Sequence, residues 1–183
     1  MTRKNYQPAS FFIGMTITFL LCCSQTIYSQ TKWFPTGSAP DKYKMGIDST
    51  LQYVGQNVAT IQSINADING FGTLMQSLSA GKYLGKRVRM TGSMKSKDVA
   101  DWAGFWCRVD QAGSQQFLAF DNMQDRAIKG TTDWTKYEIV LDVPAEASNV
   151  AFGALLSGTG QIWFHNPTFE IVDNSVPTTG RTE

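Results

Sequence analysis

The sequence predicts an all-β fold: a two-sheet antiparallel β-sandwich or jelly roll, built as a single domain. Three observations predict it. No segment beyond residue 30 keeps its apolar residues at helical spacing. Short runs of β-branched and aromatic residues recur instead, with Gly, Pro, Asn, Asp and Ser between them. Eight such runs fit in about 140 residues, which suits two packed layers of ordinary strands better than a closed barrel. The hydrophobic share of 42% is enough for one core, and eleven Phe with five Trp supply large rings to fill it.

Taken in order, the chain opens with Arg3 and Lys4 ahead of an apolar run from Phe11 to Cys23. That run is shorter than the roughly 20 residues a spanning helix needs. With the small Ser29 before Gln30, residues 1–29 read as a signal peptide, and the expected location is secreted or periplasmic. Left uncleaved, this segment would be the chain's contact with a membrane. Neither Cys22 nor Cys23 has the small residue that normally precedes a lipidated cysteine. Residues 30–41 and 174–183 are rich in Pro, Ser, Thr and Gly and read as flexible ends. The sandwich is expected over 42–173, with strands near Tyr53–Ser63, Gly72–Leu78, Arg87–Met94, Gly104–Asp110, Gln116–Asn122, Thr135–Val143, Asn149–Leu156 and Gln161–Val172.

Alternation fixes the faces. Phe105, Cys107 and Val109 share one side of their strand, the core side, while Trp106, Arg108 and Asp110 share the other. A hairpin pairing Gln111 with Gln116 sets Val109 against Leu118 and Cys107 against Phe120. It also sets Arg108 against Ala119 and Trp106 against Asp121, so an aromatic plate, an Arg and an Asp gather on the non-core face. Tyr137, Ile139, Leu141 and Val143 form the inner face of a later strand that ends at Pro144. Pro167 interrupts the final strand, which must bend or pair on one side there.

Charge and cysteine content exclude several classes. Without Arg3 and Lys4 the mature chain holds 14 basic residues against 15 acidic ones, so nothing draws it to nucleic acid. Cys107 is then the lone thiol and cannot form an internal disulfide; it reads as a small buried residue. A single His, His165, leaves little material for a metal centre or a Ser-His-Asp machine, and no cofactor or metal is expected.

Gly104 to Asp110, Ala119 to Met123, Gly130 to Trp134 with Tyr137 and Val143-Pro144, and Gly160 to Phe164 together resemble a galactose-binding-like jelly-roll domain of bacterial proteins. Related domains are similar to carbohydrate-binding modules, and similar segments occur fused to transcriptional regulators of the AraC type. The likeness runs from Trp33 to Val172. It implies a ligand held by an aromatic ring stacked on a sugar face, with Arg, Asn, Gln or Asp hydrogen-bonding the hydroxyls.

Trp106, Arg108 and Asp121 fit that requirement, with Gln76 as a further candidate and Trp134 as a packing residue that can also meet ligand. Trp102 is placed to rim a cleft. The competing reading makes Arg108 and Asp121 a structural ion pair capped by Trp106. Function is therefore expected to be exported, non-catalytic binding of a carbohydrate or similar polar small molecule. The alternative is a lyase, isomerase or cyclase with Asp121 as acid or base and Arg108 as electrostatic stabiliser. A structural partner role would need the Trp106 face to be flat and apolar. Oligomeric state is not legible.

Overall fold

The computed structural model describes Met1 and residues 32–182, apart from the side chains of Asn166 and Thr182. The expected signal peptide, Met1 excepted, lies outside the described residues. Ten strands follow one another among the described residues: β1 Phe34–Gly37, β2 Tyr43–Tyr53, β3 Gln56–Ser63, β4 Phe71–Ser79, β5 Lys86–Asp110, β6 Phe117–Asp121, β7 Ile128–Val143, β8 Asn149–Ser157, β9 Gln161–Val172 and β10 Arg181–Thr182. Every pairing is antiparallel. Among the described residues the only helical pieces are three short 3-10 turns.

β5 joins two leaves. From Lys86 to Lys97 it is hydrogen-bonded between β7 and β9, and β9 leads on to β3 and β2. From Trp102 to Asp110 it lies between β8 and β6, and β8 leads on to β4 and β1. The sequence predicts two separate strands here; the structure makes them one of 25 residues. Between Met94 and Ala103 the pairing with β7 slips register three times and Asp98 takes a φ of 52°. Such bulges bend a strand and raise its twist, which carries β5 from one leaf to the other. The polar run Lys95-Ser96-Lys97-Asp98 conceals that continuity. Ser96 is fully buried, but its hydroxyl donates to the Gly130 carbonyl and accepts the Thr132 N–H, each at 3.0 Å.

The core lies between the leaves. Phe105 and Phe164 meet edge to face at 6.0 Å, and Trp33 stands edge-on to Phe164 at 5.1 Å. Gly92 leaves room for this cluster, since a Cβ there would come within 2.7 Å of the Phe105 ring. Met90, Met94, Ile61, Ile139 and Leu156 complete the centre.

Within the described residues, both ends expected as flexible are tied down. β1 pairs with β4, and β10 pairs with β6. Arg87 donates to the carbonyls of Asn174 and Val176, both at 2.7 Å, and also forks onto Asp142. β2 escapes sequence reading because it has only β3 beside it and its register breaks between Asp48 and Gln52, so alternation is never sustained.

Candidate functional site

The side of the β1-β4-β8-β5-β6 leaf that faces away from the core carries the most developed arrangement. Trp106 projects there between the buried Phe105 and Cys107. Its register partner on β8 is Gly153, and its indole Nε1 donates across that strand to Thr73 Oγ1 on β4 at 2.8 Å. Thr73 is fixed in turn by donating to the Ala154 carbonyl at 2.7 Å. Gly153 has no alternative residue, because a Cβ would sit 2.1 Å from the Leu74 carbonyl oxygen. The indole is thus laid over β8 and locked at its polar edge, and the residue remains partly exposed. A ring held in one orientation loses little entropy when a ligand stacks on it.

Two residues along β5, Arg108 stands on the same face with its Nε 2.7 Å from Asp110 Oδ1. Nη2 donates to Asp110 Oδ2 at 3.3 Å, and Asn149 Nδ2 donates to the same oxygen at 3.3 Å. Sequence alternation places Asp110 on this face; the structure makes it Arg108's carboxylate partner in place of Asp121. Asn149, Thr73 and Met75, which reach the face from β8 and β4, had no sequence signal without the strand order.

Asp121 lies elsewhere, and the reason is a bulge. Asp110 pairs with Phe117 in the expected register, but the next pairs are Val109 with Ala119, Arg108 with Phe120 and Cys107 with Asp121. Leu118 is the extra residue. It still packs against the core while every later side chain changes sides. Asp121 therefore turns inward. It accepts the Met123 N–H at 2.7 Å, both Arg126 terminal nitrogens at 3.2 and 2.7 Å, and the Thr179 hydroxyl at 2.5 Å. These donors satisfy a carboxylate that would otherwise be buried at high cost. The expected Trp106–Arg108–Asp121 group is thus not formed. Neither is the expected Arg108–Asp121 ion pair, nor the acid-and-stabiliser pair that an enzyme would need, because Asp121 and Arg108 face opposite sides of the leaf.

The other candidates separate as well. Gln76 pairs in register with Phe152, on the core side of β4, and is buried, so it does not join the Trp106 face. Trp134 belongs to the other leaf and stacks on Tyr53 at 4.3 Å with 29° between the rings. Tyr53 also faces His165 at 5.7 Å, and His165 Nε2 lies 2.9 Å from the Gln56 side-chain oxygen. Burial of the imidazole lowers its pKa below the usual value. Trp163 is half-buried and donates to Asp48 at 2.9 Å. Trp102 lies on the same side of β5 as Trp106, opposite Ser157. Cys107 is buried, which pushes its thiol well above the ordinary range, away from thiolate chemistry. Among the described residues no three His, Cys, Asp or Glu side chains gather as metal ligands, and no helix is long and apolar enough to cross a membrane.

The chain is similar to the CBM22-1 xylan-binding domain of Paenibacillus barcinonensis Xyn10C. That match has a TM-score of 0.53 and 14% identity, and covers 79% of this chain and 88% of that domain. The family 30 carbohydrate-binding module of a Clostridium thermocellum cellulosomal cellulase gives 0.53 and 12%, covering 79% and 94%. The fold is the jelly roll of carbohydrate-binding modules. The same jelly roll matches the enzymatically active domain of bacteriophage CBA120 tailspike protein 4 at a TM-score of 0.57 and 13% identity, covering 78% of this chain but 20% of that one. In sequence, the chain is 45% identical over 148 residues to an uncharacterised HTH-type transcriptional regulator of Bacillus subtilis, YbfP. The match takes in 80% of this chain and spans half the length of that regulator. No family model matches the chain.

Proposed function

We propose that the mature chain is an exported, non-catalytic binding module that holds a carbohydrate or similar polar small molecule on the Trp106 face. One observation carries this reading: an indole pinned over Gly153 by Thr73, partly exposed, beside the polar group Arg108–Asp110–Asn149. A sugar offers C–H patches to a ring and hydroxyls to forked donors and acceptors at the rim, and this face supplies both. The jelly roll shared with a xylan-binding domain supports the same class of ligand. Export rests on the leader-like sequence of residues 1–29.

Glycan-array screening followed by calorimetry on residues 30–183 tests the binding. Trp106→Ala weakens the best glycan at least tenfold; wild-type affinity in that variant excludes this face. For export, protein recovered from outside the cytoplasm of its native host begins at Gln30. A species that keeps residues 1–29 overturns the cleavage.

A further inference from the structure

We infer that the ligand of the Trp106 face is an acidic oligosaccharide, and that Arg181, on the C-terminal strand, selects its carboxylate. The inference rests on the binding reading above and adds the charge and minimum length of the ligand. β10 pairs with β6 and so extends the binding leaf by one strand. Arg108 is register partner to Phe120, and Phe120 to Arg181, so both guanidinium groups belong to one row on one face.

Their electrostatic states differ. Arg108 is neutralised by its close contact with Asp110. Arg181 has no carboxylate partner among the described residues; it is exposed and lies over the Phe117 and Phe120 rings at 5.4 and 5.8 Å. An open groove of ≈ 560 Å³ adjoins it, lined by Phe120, Asn122, Gln124, Asp125 and Thr179 among others. The carboxylates of that groove do not answer Arg181, because Asp121 and Asp125 are both held by Arg126, at 2.7 and 2.9 Å. One planar fork of donors is therefore left for an anion from outside, and carboxylate geometry suits it.

The spacing sets a length. The Trp106 indole lies over β8 and the Arg181 guanidinium over β6. They are two strand spacings, about 10 Å, apart across the leaf and two residues, about 7 Å, apart along it. One sugar ring cannot touch both. A chain of two or three units stacked on Trp106 brings a carboxylate to Arg181.

Trigalacturonate and its fully methyl-esterified form, which keeps the rings and loses the charge, test this by calorimetry. The wild-type chain binds the acid at least tenfold tighter than the ester, and the ratio falls as salt is raised. Arg181→Gln brings the ratio close to one, whereas Arg181→Lys, which keeps charge without the fork, retains part of it. Equal affinities in the wild type, or an unchanged ratio in Arg181→Gln, overturns the inference. Binding of neither sugar also overturns it, while a neutral glycan lost on Trp106→Ala leaves the Trp106 reading standing alone.

Discussion

Trp106 and Trp134 sit on different leaves of the same sandwich and are held in different ways. Trp106 rests over a strand whose partner position is glycine, and what holds it is a hydrogen bond at the ring edge. Trp134 has a tyrosine ring stacked on its face, brought there by the turn between β2 and β3. No ring stacks on Trp106 among the described residues, whereas one face of Trp134 is taken by Tyr53. Composition counts both as surplus aromatics. Only the neighbouring strand tells them apart.

The largest expected effect comes from breaking the inward register of β6, on which that contrast partly depends. Asp121→Ala strips a buried acceptor from Arg126, Thr179 and the Met123 amide together. Removing one partner of a buried, hydrogen-bonded pair costs about 3 kcal/mol, with Arg126 being partly exposed. Urea denaturation should show that loss, while affinity for a neutral glycan stacked on Trp106 is unchanged in the protein that remains folded. Full stability with lost binding would return Asp121 to the ligand face and refute the bulge at Leu118.

Next in size is the direct test of the two rings. Trp106→Ala lowers affinity at least tenfold, about 1.4 kcal/mol. Trp134→Ala and Tyr53→Ala leave affinity intact and each lower stability by about 1 kcal/mol, the value of an aromatic pair beyond its buried area. Thermal melts and calorimetry on the same samples separate the two outcomes. A binding defect in Trp134→Ala would dissolve the contrast.

The way these residues were legible follows their physics. Period-two alternation alone places Phe105, Cys107 and Val109 inside and Trp106, Arg108 and Asp110 outside, and all six are found so. Pairing partners were less legible, because a single bulge at Leu118 reverses every side chain after it, and nothing local distinguishes Leu118 from a regular strand residue. The satisfaction of Asp121 depends on Thr179, 58 residues away on a segment whose composition suggests a loose end. Arg181 escapes for the same reason. Its place beside Arg108 is a property of two strand pairings and of no spacing in the sequence.

The smallest effect probes the covered leaf through its one titrating group near neutrality. His165 has a depressed pKa because its ring is partly withdrawn from water beside Tyr53 and Gln56. The unfolded chain takes up a proton near the ordinary imidazole value of about 6.5, whereas the folded chain resists until a lower pH. Between those two values the unfolded state holds more protons, so stability falls as the solution is acidified through that window and is unaffected by this group above it. Hydrogen-bond partners hold Asp48, Asp133, Asp142 and Asp173 below the ordinary carboxylate range, away from the pH at which the unfolded imidazole takes up its proton. Denaturation midpoints measured from pH 7 downward should therefore begin to fall just below the ordinary imidazole value of about 6.5. His165→Gln removes that first decline. If the decline survives the substitution, its source is another group.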